Sequence, residues 1–430
     1  MKTKKIVAFC SILILSASVA FAYTNAQLQD MMELNNVSLN KARNISDLAR
    51  LDSKDARASF QPTVDFLATG TYMVNPPEGQ IILDTLYNFN VKITQSIFTW
   101  GKLTDSVEIY DNVELVRNLQ RQLLKKQLAS ELKARESGIY YIKKMMVNLG
   151  KQKIVTSRFV VISEDSFKNG ILTKQQVLEA QVKAKGVVVG LKQLNMELNN
   201  QLTAIRTLVG NTALKVDDIE FIPDEVAMKA IVAGDWNDLL ARAVSPTRET
   251  FGILSLLENV STKTRHVAQN SLYWKPDVAL QVELAYQGAC KSLFQDDFYN
   301  NDNCLLNVTL VVTDTIWDGG KALNDVERKI IKEKDAYLDT KDTRNQIMQR
   351  LNEALVQMDY GTSNIEFKEL SQSMLDEKIK QNQSMMDEGY GDESDVLLAK
   401  LEKYDLELEA LQEKITRASN YYTVEYLIGE

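Results

Sequence analysis

The feature that most constrains this chain is an internal repeat with a fixed spacing of 219 residues. The segment IFTWGK at Ile97–Lys102 returns as IWDGGK at Ile316–Lys321. The same spacing relates Gly170 to Gly389 and Gly210 to Gly429. More than a hundred residues therefore repeat without an insertion, and the chain is predicted to contain two copies of one structural unit.

The repeat predicts the division of the chain. We expect a first repeat at 23–210, a linker at 211–234 and a second repeat at 235–430. Residues 1–22 read as an export signal, with early lysines, an apolar run and the small-residue site Ala20-Phe21-Ala22. The mature chain is therefore expected outside the cytoplasm.

Each repeat is predicted to contain two strands, because apolar and polar residues alternate with a period of two. The predicted strands are about 62–74, 88–98, 277–287 and 307–316. Their length suits a tilted strand that crosses a bilayer, and Trp100, Tyr273, Trp274 and Trp317 lie at strand ends, as interfacial aromatics do. Periodicity alone leaves a soluble sandwich equally open.

The rest of each repeat is predicted to be helical. Long helices are expected at 102–168, 173–208, 321–387 and 393–427, and shorter ones at 26–58 and 236–269. A helix over 102–168 would be about 100 Å long at 1.5 Å per residue, which no globular domain needs.

The glycine-rich turns before the long helices superficially resemble a phosphate-binding loop. Such a loop needs a glycine separated by four residues from its Gly-Lys and a Ser or Thr after it, but Thr315 and Ala322 stand there. We therefore interpret them as strand-to-helix turns and predict no cofactor. The turn residues are Gly101, Lys102, Gly319, Gly320 and Lys321.

Composition excludes several classes of function. The 58 acidic residues outnumber the 50 Lys and Arg, which argues against a nucleic-acid partner. His266 is the single histidine, and no cluster has metal-ligand spacing, so neither an enzyme nor a metal site is predicted. Cys290 and Cys304 are expected to form a structural disulfide in an oxidising compartment.

Taken together, the twin turns, the twin helix breaks and the twin closures resemble the TolC-like outer-membrane efflux protein family, also called outer membrane factors. The breaks are Phe167–Gly170 and Asp387–Gly389, each followed by Val-Leu-x-Ala, and the closures are Leu-Val-Gly at 208–210 and Leu-Ile-Gly at 427–429. The resemblance covers essentially the whole mature chain.

This resemblance implies a mainly α fold with a β part. Three copies would form a 12-stranded barrel in the outer membrane lipid and a 12-helix coiled-coil tunnel through the periplasm. The homotrimer would be a passive exit channel of a tripartite efflux or type I secretion system, opened by a periplasmic adaptor and an inner-membrane transporter. A soluble periplasmic helical-hairpin protein, structural or adaptor, remains the alternative.

The resemblance also implies functional roles for the helix breaks, which are the periplasmic tips in the family. The adaptor-contacting positions are Asn169, Gly170, Ile171 and Leu172 in the first copy and Gly389, Tyr390 and Gly391 in the second. The family positions that narrow the mouth correspond to Asp395, Gln176 and Leu398, of which only Asp395 is acidic. Asp392 and Glu393 are also assigned to the constriction, because they cluster with Asp395 and threefold symmetry would bring these like charges together around an axis. A solvated acidic loop that suits the helix dipole is the open alternative.

Overall fold

The computed structural model describes residues 23–72, 85–289 and 304–429 of the chain. The helices are α1 (Asn25–Asn35), α2 (Val37–Ala58), α3 (Lys102–Lys168), α4 (Lys174–Val209), α5 (Glu225–Ala233), α6 (Trp236–Ala243), α7 (Glu249–Asn270), α8 (Lys321–Asp387) and α9 (Glu393–Ile428). The strands are β1 (Thr63–Tyr72), β2 (Thr85–Phe98), β3 (Asp277–Ala289) and β4 (Cys304–Thr313). The predicted export signal, Cys290 and positions 73–74 of the first predicted strand lie outside the described residues.

The repeat predicted from the sequence has a direct structural counterpart. Helices α3 and α8 each have 67 residues, and α4 and α9 each have 36. Both long helices begin and end at the predicted residues. Because glycines with positive φ stand at the same positions of both copies, the turns between the helices also repeat.

Two predicted helices are each divided in the structure. The predicted helix at 26–58 is α1 and α2, separated at Asn36, whose side chain donates a hydrogen bond to the Leu208 carbonyl at 2.8 Å. The predicted helix at 236–269 is α6 and α7, and the break contains Pro246, which lacks the amide hydrogen that a helix interior needs. The structure thus replaces one expected helix with two in each repeat.

The chain forms two compact units, which do not coincide with the repeats. Unit 1 comprises the described residues up to Val37, Gln127–Trp236 and Glu353–Tyr426. Unit 2 comprises Ser38–Lys126, Asn237–Asn352 and the residues from Leu427. Each unit therefore draws on both copies of the repeat.

Unit 1 is a helical body with two buried apolar clusters. One cluster joins α1, α3 and α4 to the predicted linker through Leu28, Leu132, Ile139, Leu202, Ile205, Val209, Leu214 and Ile219. The other joins α3, α5 and α9 through Tyr141, Met145, Met228, Leu411, Ala418 and Tyr422. Burial of these side chains is the main source of the stability of unit 1, at about 25 cal/mol per Å² of apolar surface.

The predicted linker contains helix α5, which is anchored to the second cluster by a polar contact. Asp224 caps α5 by accepting hydrogen bonds from the amides of Val226 and Ala227 at 3.0 and 2.9 Å. Glu225 then forms an ion pair with the buried Arg417 of α9 and accepts a hydrogen bond from the Tyr141 hydroxyl of α3. The linker is therefore an integral part of unit 1.

Unit 2 contains the four strands, which form one antiparallel sheet in the order β1-β2-β3-β4. The register aligns residues into rows that cross all four strands. One row is Val64, Ile93, Val282 and Val308, and the adjacent row is Asp65, Lys92, Glu283 and Asn307. Because successive side chains of a strand point to opposite faces, these rows belong to opposite faces of the sheet.

Candidate functional site: helix tips, turns and sheet faces

The first helix tip is a tight turn that presents an apolar side chain. After α3 ends, Gly170 adopts a φ of 73°, and the Ile171 amide donates to the Ser166 carbonyl at 2.9 Å. Thr173 then caps α4, and the Ile171 side chain remains 74 % exposed. The backbone of this tip is fixed by hydrogen bonds, while its apolar side chain is available for contact.

The second tip repeats this geometry with an aromatic residue. Gly389 has a φ of 81°, and the Tyr390 side chain is 82 % exposed. At Gly391 a Cβ atom would lie 2.8 Å from the Met386 amide nitrogen, so the turn closes only around glycine. Ile171 and Tyr390 occupy equivalent positions of the repeat, and each tip therefore presents one large exposed side chain.

The predicted constriction residues have different local roles. Asp392 caps α9, since its carboxylate accepts a hydrogen bond from the Ser394 amide at 3.1 Å. Glu393 forms a bidentate ion pair with Arg158 of α3, at 2.8 and 2.9 Å. The hydrogen bond from Arg158 holds the pKa of Glu393 below its usual range. Both acids are therefore already engaged within one protomer.

Gln176 and Leu398 are two further residues predicted at the constriction. The Gln176 side chain accepts a hydrogen bond from the Thr173 amide at 2.8 Å, as the second half of a capping box. Leu398 is partly exposed. The Asp395 side chain is exposed, and its carboxylate has no hydrogen-bond or ion-pair partner among the described residues.

Several of the predicted tip and constriction residues line one cavity. Its volume is about 310 Å³. It is lined by side chains from α3, the first tip, α4 and the start of α9, among them Phe159, Ile171, Leu172, Gln176, Asp392 and Leu398. The sequence placed these residues in two separate groups, and the structure assigns them to one recess of unit 1.

The strand-to-helix turns share a cap that the sequence reading did not identify. Asp318 accepts hydrogen bonds from the amides of Gly320 and Ala322 at 2.9 and 2.7 Å, and the hydroxyl of Tyr273 donates to it at 2.5 Å. The Tyr273 hydrogen bond is the main reason that the pKa of Asp318 is lowered. In the first copy Thr99 takes the equivalent place and accepts from the Leu103 amide at 3.4 Å.

The predicted turn residues adopt the conformations that only glycine adopts without strain. Gly101, Gly319 and Gly320 have φ values of 80°, 75° and 87°. Lys102 forms an ion pair with Asp277 at 2.6 Å, and Lys321 is exposed. These residues lie in the connection between a strand and the long helix that follows it.

Aromatic side chains surround the same end of the sheet. The Trp100 indole donates to the Pro276 carbonyl at 3.0 Å, and Tyr273 stacks on Trp317 with ring centroids 6.1 Å apart. Trp274 and Trp317 are 80 % and 73 % exposed. Exposed aromatics with one polar atom suit a boundary between water and an apolar phase.

The two faces of the sheet differ in composition. One face is apolar and includes Val64, Phe66, Val91, Ile93, Leu280, Val282, Leu284, Leu306, Val308, Leu310 and Val312. In the edge strands these side chains are largely exposed, as for Phe66 at 68 % and Val308 at 67 %. The other face is mainly polar and contains the row Asp65, Lys92, Glu283 and Asn307, together with threonines, asparagines and glutamines, but it also includes Leu67, Ala285 and Leu305. Water on one face and an apolar phase on the other would satisfy both sets.

Solved structures resemble this chain along nearly its whole length. The OprN outer-membrane channel matches with a TM-score of 0.79 at 17% sequence identity, over 94% of this chain and 89% of OprN. The outer membrane protein VceC of Vibrio cholerae matches with a TM-score of 0.78 at 14% identity, over 94% and 96%. The CmeC outer membrane channel of Campylobacter jejuni matches with a TM-score of 0.77 at 14% identity, over 94% and 85%.

The chain has the TolC-like fold of outer-membrane channels. This confirms the predicted fold class, mainly helical with four antiparallel strands. At these sequence identities the likeness is one of fold. No protein-family model and no curated protein sequence matches the chain.

Within this TolC-like fold, the sequence reading missed the residues that hold the site residues in place. Arg158 fixes Glu393, and Asp318 and Thr99 fix the two turns. A Thr or Asp just before a helix is a recognisable capping signal, so the turn caps could have been predicted. Arg158 gave no such signal, because its position in the second copy is occupied by Glu377.

Other parts of the prediction can be located in the described residues but not tested. Cys304 is exposed at the start of β4, while its expected disulfide partner lies outside those residues, so the disulfide stays a prediction. Across the described ranges, no helix is both long and apolar enough to span a membrane. In the same ranges, no group of three or more His, Cys, Asp or Glu has the geometry of a metal site.

Proposed function

We propose that the chain is one subunit of an outer-membrane exit channel, a passive conduit across the periplasm and the outer membrane. The observation that carries this proposal is the sheet of unit 2, with an exposed apolar face opposite a polar one. An apolar face of this size is unstable in water unless a partner or a lipid phase covers it. The aromatic side chains at one end of the sheet suit a membrane interface.

The unpaired edges of the sheet also require strands from further copies of the chain. Among the described strands, β1 and β4 are each paired on one side only, and a membrane sheet must close so that every backbone amide and carbonyl is bonded. Two copies would give eight strands, whose interior side chains fill. Three copies give a 12-stranded barrel and are the smallest assembly of four-stranded sheets that leaves an aqueous bore. A homotrimer is therefore the expected assembly.

The tips support the rest of the proposal, which is that an adaptor and a transporter act at the periplasmic end. Ile171 and Tyr390 are exposed on turns with fixed backbones, as docking residues must be. The partners would be a periplasmic adaptor protein and an inner-membrane transporter of a tripartite efflux or type I secretion system. Cysteines at Ile171 and Tyr390, crosslinked in cells, should capture the adaptor for identification by mass spectrometry.

For the channel itself, the test is reconstitution. Purified protein should form trimers that dissociate on heating and should conduct ions across planar lipid bilayers. The alternative, a soluble periplasmic helical-hairpin protein, predicts full recovery in the soluble periplasmic fraction and no conductance. A monodisperse monomer that does not insert into bilayers would overturn the channel proposal.

A further inference from the structure

A second cavity of unit 1 is lined by helices from both copies of the repeat. Its walls are formed by α3 of the first copy and by α8 and α9 of the second. Its volume is about 590 Å³, which lies within the roughly 300 to 1,000 Å³ that is usual for small-molecule sites. Part of the wall is apolar and includes Tyr140, Val147 and Leu411. The cavity therefore has the size and the apolar surface that an organic ligand needs.

The charged residues of this cavity are mainly basic. Four lysines and two glutamates line it, and these residues are Lys143, Lys144, Lys151, Lys414, Glu369 and Glu407. Like charges around one cavity repel each other, so this arrangement is unfavourable by itself. An anion in the cavity would relieve the repulsion.

Both glutamates are already engaged, whereas two of the lysines have no carboxylate partner. Glu369 pairs with Lys414 at 3.0 Å, and Glu407 accepts a hydrogen bond from the Asn148 side chain at 2.7 Å. Lys144 and Lys151 are exposed and form no ion pair with any residue that the structure describes. The Lys144 Nζ lies 4.5 Å from the centroid of a ring of the apolar wall. These two ammonium groups are therefore available to an anionic ligand.

The cavity also contains a buried acceptor that needs a donor. Asn148 is only 1 % exposed. Its Nδ2 is used in the hydrogen bond to Glu407, and its Oδ1 is buried with no hydrogen-bond partner among the described residues. A buried acceptor without a donor is unfavourable. A hydroxyl group of a ligand would satisfy it, which an anionic group could not do.

The helix itself does not need these residues. Helix α8 has the same 67 residues as α3, but different side chains stand at the equivalent positions. Lys143, Lys144, Asn148 and Lys151 are replaced there by Thr362, Ser363, Phe367 and Leu370. Because the second copy forms the same helix without them, the polar residues of the cavity serve something other than helix formation.

We propose that this cavity binds a small organic anion, namely an aromatic carboxylate that also bears a hydroxyl group. Its carboxylate pairs with Lys144 and Lys151, and its hydroxyl donates to the Oδ1 of Asn148. Its rings pack on the apolar part of the wall, for which the volume allows a two-ring body. All the lining residues belong to unit 1 of a single protomer, so this site does not depend on the channel proposal.

Fluorescence titration with 6-hydroxy-2-naphthoate tests the site in the purified full-length protein. The natural chain should bind saturably, with one site per chain. Lys144→Gln with Lys151→Gln should weaken binding about tenfold, because hydrogen bonds to charged groups contribute on this order. Lys144→Arg with Lys151→Arg should retain most of the affinity.

The matched control removes the same charge outside the cavity. Lys153→Gln with Lys185→Gln changes two exposed lysines that do not line it, and this variant should bind like the natural chain. Circular dichroism should show the same melting temperature for all variants. Equal affinity of the Lys144/Lys151 glutamine variant and this control, or no saturable binding by the natural chain, would overturn the site.

Changes in the probe test the assigned chemistry. 2-Naphthoate, which lacks the hydroxyl, should bind several-fold more weakly, and equal binding would overturn the role of Asn148. Naphthalen-2-ylmethylammonium, with the opposite charge, should bind more weakly still, and equal binding would overturn the anion site. Inorganic phosphate should not displace the naphthoate at equal concentration, and displacement would show that charge alone is recognised. None of these outcomes changes the expected conductance, so the channel proposal is tested separately.

Discussion

A buried carboxyl on α3 gives the sharpest energetic prediction. Glu136 is fully buried in unit 1, and its Oε2 accepts a hydrogen bond from the Asn25 side chain at 2.5 Å. Its Oε1 has no hydrogen-bond partner among the described residues. Burial raises the pKa of Glu136 to about 7, against the opposing effects of the Asn25 hydrogen bond and the charge of Lys133.

The sign of the pH dependence follows from this shift. Between the ordinary pKa of 4.5 and the folded value of about 7, the unfolded chain loses the proton while the folded chain keeps it. The free energy of unfolding therefore falls as the pH rises through this window. A difference of this size corresponds to about 3 kcal/mol at 1.36 kcal/mol per pKa unit.

Glu136→Gln should abolish that loss, because glutamine does not ionise and its carbonyl oxygen can still accept the Asn25 hydrogen bond. We expect the variant to melt about 6 to 12 °C above the natural protein at pH 8, using roughly 2 to 4 °C per kcal/mol. At pH 4.5 the two should melt together. Circular dichroism of the detergent-solubilised protein measures both, with the exposed Glu179→Gln as control. A melting difference that is equal at both pH values would refute the reasoning.

Three further perturbations have defined outcomes. Ile205→Ala, in the fully buried cluster around α4, should lower the free energy of unfolding by about 2 to 5 kcal/mol in denaturant titrations. Gly210→Ala should also destabilise, because Gly210 has a φ of 70° and an added Cβ would lie 2.6 Å from the Asn35 Cβ; a melting temperature equal to that of the natural chain would contradict this. Asp395→Ala should weaken block by multivalent cations in single-channel recordings, and unchanged block would argue against an acidic constriction at this residue.

Much of the fold could be predicted from local signals. The ends of α3 and α8 were predicted to the residue, because each helix is bounded by a glycine turn whose left-handed backbone interrupts the helix. The division at Asn36 could not be predicted, since it is stabilised by a hydrogen bond to Leu208, which is distant in sequence. The break before α7 did have a local signal in Pro246, which the periodicity of the surrounding residues obscured.

The candidate site was harder to predict than the fold, because some of its contacts join residues that are distant in sequence. The tips were recognised because glycine turns are local and occur twice. The state of Glu393 depends on Arg158, which is 235 residues away and has no counterpart of the same charge in the other copy. An internal repeat shows which residues the two copies have in common. It therefore gives no information about the contacts between one copy and the other.

The difference in surface charge between the two copies has a physical explanation. Residues that determine the backbone conformation are of the same type in both copies, as at Gly170 and Gly389, which both have a positive φ. Surface charge is where the copies differ, as with Arg158 and its equivalent Glu377. Residues 127–209 of α3 and α4 contain 13 Lys and Arg against 6 Asp and Glu, whereas residues 353–426 of α8 and α9 contain 7 against 17. The two hairpins meet within the protomer through the ion pairs of Arg158 with Glu393 and of Lys133 with Glu425. Two hairpins of identical charge would repel at this contact, so a duplicated unit that borders its own copy is stabilised when the copies diverge in charge and not in backbone.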